Sequence, residues 1–201
     1  MVESISVCVF LKVPLLLDII QQPQGRVAPS PLPHVDREGA LVVSAVHLLA
    51  HAGAAALTHT AVATLAAAVA RAMAELEEAA AARDAAQEEA DAELLGNLWP
   101  PALLDFRVVE RRRVLAECAT TLGRLGNRAL QAGEEGLLLS IVEVLLPLAT
   151  AETEPGALFP SFMSAVFVRG NACVGLLRLC SSAERCAPSV PKDHAPPNDV
   201  K

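Results

Sequence analysis

Five cysteines (Cys8, Cys118, Cys173, Cys180, Cys186) and five histidines (His34, His47, His51, His59, His194) are the side chains here that could attack a carbon or hold a metal. The cysteines are an odd set without metal-ligand spacing, and three of them sit in or near apolar helix faces. Packed, reduced thiols in a cytosolic setting are therefore expected. Cys118 or Cys173 could act as a nucleophile only beside a histidine, yet the histidines all fall within residues 34–59 or at 194. His47 and His51 lie one helical turn apart, a spacing that binds metal when a third ligand completes the shell. Leu48 stands where an HExxH protease needs its glutamate, so packed or solvated histidines and no metal site are expected. Glu77-Glu78 and Glu88-Glu89 are not acid–base pairs, because that chemistry needs burial to separate two pKa values. No Gly-x-Ser-x-Gly elbow, phosphate loop or dinucleotide fingerprint occurs, so no cofactor is expected. Arg107, Arg111, Arg112 and Arg113 form the one basic cluster. Positions 107 and 111 share a helical face, which leaves a phosphate, the chain's own acidic helix or plain solvent as its surroundings.

The elements that position these residues read as helices. At 201 residues the chain fits one domain of ordinary size with flexible ends. Its 53% apolar content and mean hydropathy of +0.40 owe much to alanine, which favours helix and resists water little. Aromatics are 3% with no tyrosine, which argues against a β-sandwich and against stacking platforms for single-stranded nucleic acid. Of the net charge of -7, residues 75–93 alone account for all, with eight acids against Arg83. A global positive field for nucleic acid is absent.

Residues 5–20 are the nearest approach to a membrane segment, but Lys12 and Pro14 interrupt them and Asp18 closes them. A buried strand or helix fragment is equally compatible. Residues 21–38 hold four prolines and read as a linker, with Pro29, Pro31 and Pro33 as a second-rank proline-recognition motif. A helix is expected over 39–52 with Leu41, Val42, Ala45, Leu48 and Leu49 inward and Gly53 as its stop. Residues 54–93 form one long alanine-rich helix or two. Their stripe of Leu57, Ala61, Leu65, Val69, Met73 and Leu76 packs inward, and their acidic end projects into solvent.

After Gly96-Asn97 and Pro100-Pro101 a helix is expected from about Ala102, stapled by Trp99 or Leu98. Over 114–132 it is amphipathic through Val114, Leu115, Cys118, Leu122 and Leu125. Gly123 and Gly126 either admit a close neighbour or mark fraying. Residues 133–136 make a turn, and 137–149 a helix so apolar that a central place is expected for it. Residues 156–180 then read as a short helix, a corner at Val168-Arg169-Gly170 and a second helix with Ala172, Leu176 and Leu179 on one face. Such a hairpin cannot bury its own face alone and implies stacked neighbours.

A shift of 54 residues places Val114 on Val168, Leu122 on Leu176, Arg124 on Arg178 and Leu125 on Leu179, as two degenerate units of a helical repeat would. GALFPSFM followed by VRGNACVGLLRLC resembles an armadillo-type repeat. More narrowly, the second string is similar to repeats in the C-terminal halves of Fused-type serine/threonine kinases. The resemblance covers about 25 residues well. It implies scaffolding, with a cytoplasmic or ciliary location. The kinase motifs of that family are missing, and Leu115-Ala116 replaces the Arg-Gly corner in the first unit.

The sequence thus predicts an all-α fold, a short irregular α-solenoid of armadillo/HEAT-like hairpins with disordered ends. Residues 1–38 are an N-terminal apolar segment and linker, 39–186 the helical repeat domain, and 187–201 a disordered tail. The expected function is a non-catalytic protein-interaction scaffold, with Arg107, Arg111, Asn127, Arg128 and Asn171 lining its concave face. A cysteine enzyme and a bundle subunit of a larger complex are the alternatives. Partners are a protein or further helical repeats, with no nucleic acid or membrane. So short an array is either a fragment or a homo-oligomer.

Overall fold

The computed structural model describes residues 2–26, 36–93, 106–150 and 161–186; residues 2–11, 80, 82–93, 106–107, 161–165 and 184–186 are described by backbone alone. The readings made for Pro29, Pro31, Pro33, Trp99, Pro100-Pro101, residues 151–160 and the tail lie outside these ranges, as do side-chain readings for the acidic end of residues 82–93. Among the described residues all regular structure is helical. The α-helices are α1 (Val2–Gln21), α2 (Arg37–His51), α3 (His59–Glu93), α4 (Phe106–Ala132), α5 (Glu135–Thr150) and α6 (Ser161–Cys186), with a 3-10 turn at Gly53–Ala56.

Local chemistry sets most boundaries. Asp36 caps α2 by accepting the Gly39 N–H at 2.8 Å, and Gly53, at φ +68, ends the segment as expected. Thr58 Oγ1 accepts the Ala61 N–H at 3.1 Å where α3 begins, and from there α3 is one continuous helix. Gly133 takes a left-handed φ of +73, and the Glu134 N–H returns to Ala129 O at 2.9 Å, closing α4 with a Schellman turn.

Two layers result. Contacts between α2 and α4 advance together, from Asp36–Arg111 through Val46–Thr121 to Gly53–Arg128, so the two helices run parallel. Those between α4 and α6 do the same, from Ala116–Asn171 through Gly123–Gly175 to Asn127–Ser182. One row therefore holds α2, α4 and α6, with α4 in the middle. Helix α5 runs antiparallel to α6, from Leu145–Gly175 to Ala149–Cys173, and Glu75 of α3 meets Arg111 near the start of α4; α3 and α5 pack on each other, and α1 packs on both α2 and α3.

Two expectations are corrected, and one left open is decided. Residues 168–170 form no corner: α6 is continuous from Ser161 to Cys186, contains no proline, and leaves Gly170 without a left-handed φ. A glycine costs a helix only about 1 kcal/mol, and burial of Val168, Ala172 and Leu179 against α4 and α5 outweighs that. The central helix is α4 and not residues 137–149. In α5 Leu137, Ile141, Leu145 and Leu148 are buried, while Leu139 and Leu146 are 64% and 52% exposed. Finally, of the alternatives open for residues 5–20, a helix with a buried side is the one found. Val13, Leu17 and Ile20, at helical spacing in α1, join the same cluster as Val46, Leu65, Leu122 and Ile141. Among the described residues no helix is long and apolar enough to cross a membrane.

The tightest contact is between α4 and α6. A Cβ on Gly123 would lie 2.9 Å from the Cα of Gly175, so the two backbones touch. The first of the two readings of Gly123, a close neighbour, is the one realised. Lateral neighbours along this contact are 52 to 55 residues apart, so the 54-residue offset seen in the sequence is the register of two adjacent helices.

Candidate functional site

Of the five residues expected to line a recognition face, four bind within the fold. Arg111 reaches Asp36 at 2.7 Å and Glu75 on its other side, tying α4 to the cap of α2 and to α3. Contact with the chain's own acidic helix is thus the surrounding that Arg111 has. Arg128 donates to Gly53 O at 3.1 Å, Asn171 donates to Ala116 O at 3.2 Å, and Asn127 accepts from Ser182 Oγ at 2.7 Å. These are internal ties that hold α2, α4 and α6 in one row. The side chain of Arg107 lies outside the described part.

The thiol and imidazole candidates are placed as firmly. Cys118 is wholly buried, and its pKa is pushed up to about 12, chiefly by burial and further by Glu117, against a smaller opposing effect of Arg71. At neutral pH it is a packed thiol and a poor nucleophile. Cys173 is half-buried with its sulfur 3.9 Å from Ala149 O. His47 and His51 stand on the exposed side of α2 with ring centroids 4.9 Å apart, and His47 Nδ1 lies 2.9 Å from Glu117 Oε1. Among the described residues no three His, Cys, Asp or Glu side chains converge on a metal position.

A cavity of about 400 Å³ opens between the end of α1 and helices α2, α3 and α4. Its wall carries Glu38, Glu75, Arg71 and Arg111, equal numbers of each sign. Arg71 is held by the carbonyls of Ile20 and Gln21 at 2.6 and 2.9 Å, where it complements the negative end of α1. Charges so engaged present no surplus to a ligand.

The open surface lies elsewhere. On α6, Phe167 is 59%, Val174 45% and Leu177 65% exposed, with Val166 beside them at 39%. They lie along a flank of α6, where a shallow depression of about 370 Å³ is lined by Asn127 of α4 together with Val174, Leu177, Arg178 and Ser182. Apolar groups grouped on one helix face in this way mark contact surfaces. The sequence reading named Ala172, Leu176 and Leu179 and missed this second stripe. Its signal was present: Phe167, Val174 and Leu177 repeat at steps of seven and three, and two apolar stripes on one helix imply contacts on two sides.

No family model matches this chain, and neither does any curated protein or solved structure.

Proposed function

We propose that the chain is a non-catalytic protein-interaction scaffold, a short armadillo/HEAT-like α-solenoid that offers the end of its helix row to a partner. One observation carries the reading: α2, α4 and α6 stand parallel in a row whose last member keeps an apolar stripe, Phe167, Val174 and Leu177, facing outward. In a repeat array each unit buries the open face of the one before it, and such a face on the last unit calls for a cover. The alternation of the two layers and the 52-to-55-residue register support the repeat interpretation. The likeness of residues 168–180 to Fused-type kinase repeats belongs to the same proposal, now as a single long helix and not a hairpin. The protonated, packed Cys118 counts against a cysteine enzyme and suits a reducing, cytoplasmic setting.

Affinity capture from the native cell tests this, using the full chain, its Val174→Asp/Leu177→Asp variant and a variant with Glu88, Glu89, Asp91 and Glu93 neutralised. Captured proteins are expected to be lost with the α6 variant and kept with the acidic-segment variant. The reverse pattern would move recognition to the acidic end of α3 and overturn the reading.

A further inference from the structure

We propose that His47 and His51 of α2 form a surface site for a zinc ion, with Glu117 of α4 positioning His47 and not itself binding the metal. The proposal stands apart from the scaffold reading and uses no part of α6.

The two histidines are four residues apart within one helix, so both rings project from the same side of α2. That spacing is how a helix offers two imidazoles to a single zinc. Leu48 in place of a glutamate removes the base of an HExxH enzyme and leaves both ligands in place. The ring centroids are 4.9 Å apart. Two imidazoles on one tetrahedral zinc, each at a Zn–N distance of about 2.0–2.1 Å, have their centroids about 5 Å apart. The observed separation already matches. The rings are also inclined at 57° to each other. A bound zinc lies in the plane of each ring, and two parallel stacked rings would share no such point.

Glu117 supplies an independent observation, because its Oε1 lies 2.9 Å from Nδ1 of His47. An ionised carboxylate can only accept, so Nδ1 carries the proton of the neutral ring and Nε2 keeps its lone pair for a metal. Zinc-binding histidines almost always have such a partner on the nitrogen opposite the metal, which fixes the tautomer and makes the ligand more basic. Here the partner comes from a second helix. The packing of α2 on α4 therefore sets the direction in which His47 presents its free nitrogen.

The side chains of His47 and Glu117 are 55% and 23% exposed, so water has access to the remaining coordination positions. Among the described residues no third His, Cys, Asp or Glu side chain converges there, and two waters complete a four-coordinate shell. A donor set of two imidazoles and water suits zinc. Magnesium and calcium prefer oxygen ligands throughout and are not expected to compete.

Isothermal titration of the full chain with Zn²⁺ up to about 1 mM, in excess Mg²⁺, tests the proposal. Uptake of one zinc per chain is expected, weakened about 10-fold or more in His51→Ala and in Glu117→Ala. Glu117→Gln, whose amide oxygen still accepts from Nδ1, should recover part of the loss, and Cys180→Ser should change nothing. All four substitutions fall outside the buried core, so helical content should stay the same. Imidazole nitrogen spectra of the zinc-free chain should show His47 protonated at Nδ1, a preference lost in Glu117→Ala at unchanged helicity. Absence of uptake below about 1 mM, uptake left intact by His51→Ala or abolished by Cys180→Ser, or a neutral His47 protonated at Nε2 would each overturn the proposal.

Discussion

Cys118 shows how one position decides between chemistry and packing. It is buried at the centre of α4, and its thiol keeps its proton to a pH of about 12. In the unfolded chain the same thiol ionises near 9. Below that value both states are protonated, and the group makes no difference between them. As pH climbs from about 9 to about 12 only the unfolded state loses the proton, so stability falls, by up to about 1.4 kcal/mol per pH unit. Urea melts over this range should show the steep decline in the parent and a shallower one in Cys118→Ala. Alkylation of the folded protein should label the exposed Cys180 well before Cys118. Arg111 makes the same point for charge. The sequence marks it as a cation on a helix surface, but its position between Asp36 and Glu75 comes from two other segments.

At the level of elements, α4 and α6 meet through glycine backbones, and that contact limits what either helix can carry. In Gly123→Ala the new Cβ would meet the Cα of Gly175 at 2.9 Å, an obstacle that cannot rotate away. The variant is expected to lose about 1–3 kcal/mol despite alanine's better helix propensity. Gly136 in the first turn of α5 has nothing within 4 Å, and Gly136→Ala should be neutral or slightly stabilising. Equilibrium urea unfolding of the pair measures both, and equal losses would mean that α4 and α6 do not touch as described. The continuity of α6 belongs here too. Val168-Arg169-Gly170 has the composition of a corner, yet no local term forces the break, and packing along the whole helix removes it.

For the whole molecule, one core joins α1 through α6, so the chain should unfold in a single transition. Ile20→Ala, in an apolar segment whose sequence leaves burial open, is expected to cost about 2–5 kcal/mol and shift that transition as a unit. Early melting of α1 alone, followed by circular dichroism, would contradict it. The sequence by itself determined the helical class, nearly every helix of the core and the inward stripes Ala61, Leu65, Val69 and Val114, Leu115, Cys118, Leu122, because helix propensity and apolar periodicity are local quantities. It also contained the 54-residue offset, without indicating that this is a distance between neighbours. Only the tertiary structure decided that α4 is central, that α1 belongs to the core, and that Arg111, Asn127, Arg128 and Asn171 bind inward while Phe167, Val174 and Leu177 face out. A helix with apolar residues on more than one side is compatible with several neighbours. Which side is covered depends on segments tens of residues away, whose contacts no local pattern encodes.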